Sequence, residues 1–90
     1  MNTGFVYAGA YAKKVRRIGF AISKAEGISA EQILAEVANL NQLIFDKLAK
    51  AGVDKVDVIR IEVPYETNGG FKFKTDELKI EVFKKEKEIV

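Results

Sequence analysis

The 90-residue sequence contains no cysteine and no histidine, a single proline (Pro64) and a single methionine. Without cysteine there is neither a disulfide framework nor a thiolate metal site. Without histidine the commonest zinc ligand and the commonest general base are also missing. Most hydrolase and metalloenzyme chemistry is thereby excluded. The chain has no Gly-x-Gly-x-x-Gly, no phosphate-loop pattern, and no serine or threonine with an obvious basic partner. Asp54 and Asp57 flank the entry to a strand, where turn and capping roles are commoner than catalysis. The acids are dispersed among basic neighbours, so a calcium loop is unsupported. The sequence therefore reads as a non-enzyme with no cofactor and no metal. No basic leader opens it and no apolar run approaches bilayer length, so the expected setting is the cytoplasm, away from membranes.

What is present is 48% hydrophobic, 31% charged and 10% aromatic residues, enough for one core. Residues 1–90 are expected to form a single domain. Lys84 to Glu88 alternate in charge sign, and residues 84–90 are expected to fray. The Lys/Glu-rich surface, the scarcity of methionine and cysteine and the short connections match the composition of hyperthermophile proteins.

Hydrophobic period divides the chain. Residues 3–10 read as a short strand with Phe5 and Tyr7 on one side and Val6 and Ala8 on the other. From Tyr11 the period becomes helical: at 100° per residue Tyr11, Val15, Ile18 and Ile22 lie within about 60° of one another. Gly19 weakens that helix by roughly 1 kcal/mol relative to alanine. A second, long helix is predicted over residues 29–51. Ser29 and Gln32 give its capping box, Ile33, Val37, Leu40, Ile44 and Leu48 its apolar face, and Gly52 its stop. Leu43 lies at the edge of that face. Lys55 to Tyr65 reads as a strand with a bulge or a change of burial at Val58–Ile59, ended by Pro64. Thr67 to Gly70 suits a reversal into an antiparallel partner. In that partner Phe71 and Phe73 share one parity and Leu78, Ile80 and Val82 the other, so a bulge or short turn near Asp76 is required if all face one core. The predicted fold is a small α+β domain, order β-α-α-β-β, with an antiparallel sheet of three to four strands packed on two helices.

Charge is the sharper functional signal. Before Glu26 the chain carries Lys13, Lys14, Arg16, Arg17 and Lys24 and no acid, whereas the rest carries ten bases against thirteen acids. On the first helix Lys13, Arg16, Arg17 and Lys24 gather opposite the apolar stripe, with Phe20 among them. A phenylalanine on a basic face needs a cover, either a protein element or a stacked base with its phosphates on the cations. Phe71-Lys72-Phe73-Lys74 carries the same ambiguity. If these rings lie on the open face of the sheet, they and their lysines form a second stacking surface; if they lie in the core, only the lysines are exposed. Two readings follow. One is sequence-tolerant binding of single-stranded nucleic acid through Lys13, Arg16, Arg17, Phe20, Lys24, Phe71, Lys72, Phe73 and Lys74. The other is a structural or protein-interaction domain, homo-oligomeric, whose rings are buried and whose Arg16 and Arg17 pair with carboxylates.

Thr3-Gly4-Phe5-Val6-Tyr7-Ala8-Gly9-Ala10-Tyr11-Ala12-Lys13-Lys14-Val15-Arg16-Arg17, with Asp54 to Ile61 and Leu78 to Phe83 in the same order, resembles a group of small proteins of hyperthermophilic archaea related to the ThermoDBP-type single-stranded DNA-binding proteins. The resemblance implies an α+β domain without the usual oligonucleotide-binding barrel, holding single strands in a phenylalanine-lined cleft edged with basic residues; the ligand expected here is single-stranded DNA, with RNA as the alternative. The resemblance also implies relatives that can continue into a helical dimerisation segment. This chain stops at Val90, so a homodimer is expected to use the domain itself, through a sheet edge or the Leu43 side of the long helix.

Overall fold

In a computed structural model, described over residues 1–84, the stripe Tyr11-Val15-Ile18-Ile22 is one face of helix α1, Tyr11–Glu26. Gly27 ends it in the left-handed conformation (φ 67°), and its N–H donates to the Ser23 carbonyl. Two residues later the Ser29 hydroxyl accepts from the Gln32 N–H and opens α2, Ala30–Lys50. The capping oxygen satisfies one of the amide groups that the first helical turn leaves unpaired. The two helices form a hairpin, tied at its far end by the Tyr11 hydroxyl donating to the Asn41 carbonyl at 3.1 Å. Gly19 is buried at their closest approach: a Cβ there would lie 2.8 Å from Val37 Cγ2.

The first strand, β1, spans Asn2–Tyr7, shorter than the predicted residues 3–10, because Ala8–Ala10 wind into a 3-10 turn. That turn is held to the loop before the next strand by Ala8 N–H to the Asp57 carbonyl (2.8 Å) and Gly9 N–H to the Lys55 carbonyl (2.9 Å). β2, Val58–Glu62, is the centre of a three-stranded antiparallel sheet between β1 and β5, Lys79–Phe83. The irregularity anticipated at Val58–Ile59 lies across the ladder in β1. Asn2 faces Glu62 and Phe5 faces Arg60, so Thr3 and Gly4 together oppose Ile61. Gly4 takes φ 64°, and the Thr3 hydroxyl accepts the Ile61 N–H at 3.0 Å, replacing the carbonyl that the bulge turns away.

The α+β class and the element order are as predicted, but the strands divide into two sheets. Pro64 has no N–H to give a ladder. Beyond it β3 (Tyr65–Glu66) and β4 (Lys72–Phe73) form a separate two-stranded hairpin around Gly69 and Gly70, so the antiparallel partner of β2 is β5 and not the strand after the turn. The parity conflict between Phe71/Phe73 and Leu78/Ile80/Val82 is resolved by a 3-10 turn over Thr75–Glu77, around Asp76. Val15, Ile22, Ile33, Val37, Leu40, Ile44 and Leu48 from the helices meet Ile59, Ile61 and Val63 in one core, which Phe71 and Phe73 complete. Of the tail expected to fray, Lys84 is placed, its ammonium 2.9 Å from Asp57 Oδ2; residues 85–90 lie outside the described residues.

Candidate nucleic-acid interface

Lys13, Arg16, Arg17, Phe20 and Lys24 recur at the three- and four-residue spacing of one helix face, so α1 carries them as a single stripe along its solvent side. All five are exposed, and Phe20 shows 41% of its surface. Among the described residues no carboxylate lies within ion-pairing distance of the four cations. Every salt bridge instead involves Arg60, Lys74, Lys79 or Lys84. The first turn of α1 contains no acid, its N-cap makes no side-chain bond, and Lys13 and Lys14 stand near its N-terminus. Cations at the positive end of a helix dipole are destabilising by about 0.3–1 kcal/mol each at a surface. The stripe is therefore a concentration of positive charge with no ion-pair partner among the described residues; Lys13 stands at the end of the helix dipole that disfavours a cation and Lys24, in the last turn, at the end that favours one.

The second predicted stacking surface is corrected by the structure. Phe71 and Phe73 are 5% and 2% exposed, their rings 4.9 Å apart edge to face, with Tyr65 5.2 Å from Phe71. Glu36 of α2 accepts the Phe73 N–H at 3.0 Å and holds β4 against the helix. Rings so enclosed have no face to offer a base. Lys72 remains exposed beside them, while Lys74 is engaged by Glu77 at 3.0 Å, which raises its pKa chiefly through that hydrogen bond. The hairpin thus contributes a free lysine and a paired one, and no stacking ring.

An aromatic surface that sequence reasoning did not single out lies on the open face of the main sheet. The bulge at Thr3–Gly4 shifts β1 by one residue, so Phe5 and Tyr7 point away from the helices, 66% and 62% exposed. Phe83 meets Phe5 at 5.3 Å edge to face, and the Arg60 guanidinium sits 5.3 Å over the Phe5 ring. The alternation of Phe5 and Tyr7 against Val6 and Ala8 was legible; which side faces outward depends on β5 and the helices. The cations of this surface are largely neutralised. Arg60 Nη2 lies 2.6 Å from Glu81 Oε1, raising the pKa of the guanidinium and holding the carboxyl below the usual carboxylate range, and Lys84 is paired with Asp57. The face is aromatic but close to charge-balanced, the reverse of α1.

A family model described as ThermoDBP-related, archaea, matches residues 1–73. The chain belongs to this archaeal ThermoDBP-related family. Two solved structures of ThermoDBP-related proteins carry the likeness into three dimensions. The crystal structure of pfuThermo-DBP-RP1 (crystal form II) superposes with a TM-score of 0.85 at 42% identity, over 92% of this chain and 56% of that one. That of apeThermo-DBP-RP2 bound to ssDNA dT10 gives a TM-score of 0.83 at 33% identity, over 96% of this chain and 42% of that one. The chain thus spans about half the length of these solved relatives. No curated protein matches it. The family match takes in β1, both helices and the β3–β4 hairpin, and so the whole α1 stripe. Among the described residues, no helix is long and apolar enough to cross a membrane.

Proposed function

We propose that this chain is a non-catalytic, cytoplasmic protein that binds single-stranded DNA, and RNA by the same chemistry, without sequence preference, and that its assembly is a homodimer. The observation that carries the reading is the α1 stripe, on which four cations, unpaired among the described residues, flank one exposed ring. Phosphates follow Lys13, Arg16, Arg17 and Lys24, and a base stacks on Phe20. Lys72 is a further exposed cation, on the hairpin that packs against α2, and Phe71 and Phe73 support the fold there. Membership of the ThermoDBP-related family, and a relative bound to ssDNA dT10, support the choice of ligand. The protein-interaction reading expects buried rings and paired arginines. Phe71 and Phe73 fit it, whereas Phe20 and the unpaired Arg16 and Arg17 do not.

The test is anisotropy of a labelled oligothymidine titrated with protein at two salt concentrations, with duplex DNA as the control. Single strand is expected to bind more tightly than duplex, with affinity falling as salt rises. Arg17→Ala should lower affinity and flatten the log–log salt slope by about 0.7, the contribution of one phosphate contact on a single strand. Phe20→Ala should cost about 1–3 kcal/mol of binding and leave the slope unchanged. Equal affinity for duplex, or an Arg17→Ala slope identical to wild type, would overturn the assignment.

A further inference from the structure

We infer that the homodimer forms through the free edge of β5, antiparallel, with Ile80 opposite Ile80 of the second copy, so that two three-stranded sheets join into one of six. This inference rests on the dimer proposed above and is independent of nucleic-acid binding. The direction of the backbone groups follows from the β1 side. Ile61 N–H donates to the Thr3 hydroxyl at 3.0 Å and Val63 N–H to the Met1 carbonyl at 2.9 Å, so these β2 residues turn their N–H groups toward β1. Arg60 and Glu62 therefore turn theirs toward β5, where their partners are Glu81 and Lys79. The backbone groups of Ile80 and Val82 are left facing outward. Among the described residues they make no other hydrogen bond.

Two further features favour a protein strand over solvent at this edge. β5 has no proline and no bulge, the usual protections of an edge strand; only Lys79 serves that role. The core-facing side of the strand is also incompletely covered: Val82 is 37% exposed, and Leu78, Ile80 and Val82 border a groove of about 350 Å³ against Lys47, Leu48 and Ala51 of α2. A second β5 would bring another Ile80 and Val82 to the mouth of this groove.

Charge selects the register. Two-fold pairing through the outward backbone groups has three choices. Centred on Val82, it sets Glu81 against Phe83; midway between Ile80 and Val82, it sets Glu81 against Glu81. Centred on Ile80, it sets Lys79 against Glu81 twice, in the closer, non-hydrogen-bonded positions where opposite charges stabilise and like charges do not. The carboxylate has room for that lysine. Arg60 Nε, Arg60 Nη2 and the chain's own Lys79 all approach Glu81 Oε1, and among the described residues Oε2 has no partner.

Sedimentation velocity of the full chain across a range of concentrations tests the inference. Wild type is expected to reach twice the chain mass. Val82→Pro removes an N–H that does not serve β2, so the circular dichroism should persist while the mass falls to one chain. Lys79→Glu, at an exposed position, should weaken dimerisation at least tenfold, and Lys79→Arg should not. A wild-type mass of one chain throughout would overturn the dimer and its interface together. A dimer unmoved by Val82→Pro would overturn the β5 edge alone; if the proline variant fails to fold, a dimer unmoved by Lys79→Glu overturns the Ile80-centred pairing. Loss with Val82→Pro but not with Lys79→Glu would overturn the Ile80-centred register. Oligothymidine binding by wild type is a separate readout and moves with none of these outcomes.

Discussion

Gly19 sits where α1 touches α2, and a methyl group there would press on Val37 Cγ2 at 2.8 Å and Ile33 Cγ2 at 3.2 Å. Alanine would gain about 1 kcal/mol of helix propensity. Overpacking a buried contact costs typically about 1–3 kcal/mol. Gly19→Ala is therefore expected to destabilise, read as a lower guanidinium midpoint; an unchanged midpoint would mean that the helices separate freely. In the sequence Gly19 looked only like a weakness of α1, because periodicity identifies the buried face of a helix but not its distance from a neighbour. Asp57 makes the same point for polar groups. Its carboxylate accepts from the Lys84 ammonium and from the Asp54 N–H, both at 2.9 Å, and in that order these hold its pKa below the usual range. A carboxyl so depressed stabilises the fold fully above its ordinary pKa of about 4, and the contribution disappears as pH falls through the lowered native value. Asp57→Asn should lower Tm at neutral pH, with the difference closing at the acid end of a pH series. The turn role of Asp54 and Asp57 could be anticipated from their spacing, whereas the reach of Lys84 from the end of β5 could not.

At the scale of elements, both helices were legible because each states its period over several turns and α2 announces its cap. The strands were less so. Phe71 and Phe73 alternate with lysines as they would in either an open or a closed position, and only the seating of β4 against Glu36 of α2 decides for the core. Phe73→Ala is accordingly expected to cost about 3–5 kcal/mol of folding stability in a denaturant series. Oligothymidine affinity, corrected for the folded fraction, should be unchanged; a selective loss of binding would return that ring to the interface. The division into two sheets had a visible cause in Pro64 and a visible symptom in the parity change before Leu78. What could not be read was that only the later part of the expected partner, Lys79–Phe83, pairs with β2, while Lys72–Phe73 pair with Tyr65–Glu66 instead. The candidate site shows the same split. Its cationic stripe lies within one helix and is local, while the outward row of Phe5, Tyr7 and Phe83 is assembled from the two ends of the chain around a bulge.

For the molecule as a whole, the two outer surfaces have different characters. Among the described residues, the helix layer presents unpaired cations, and the open side of the sheet presents rings among charges that have already found partners. A polyanion is drawn to the first by long-range attraction that salt screens. Joining two sheets at β5 would leave both α1 stripes outside the junction. The topology also sets an order in time. β1 is made before β2, yet Asn2 faces Glu62 across its ladder, and both helices lie between. The helix hairpin needs only local contacts, whereas β1 must close a long loop before any pairing rewards it. Val6→Ala is thus expected to speed unfolding and leave the folding rate nearly unchanged in stopped-flow measurements, the signature of a contact formed after the transition state. During synthesis the same geometry leaves an aromatic strand waiting, without its partner, until both helices and β2 have emerged from the ribosome.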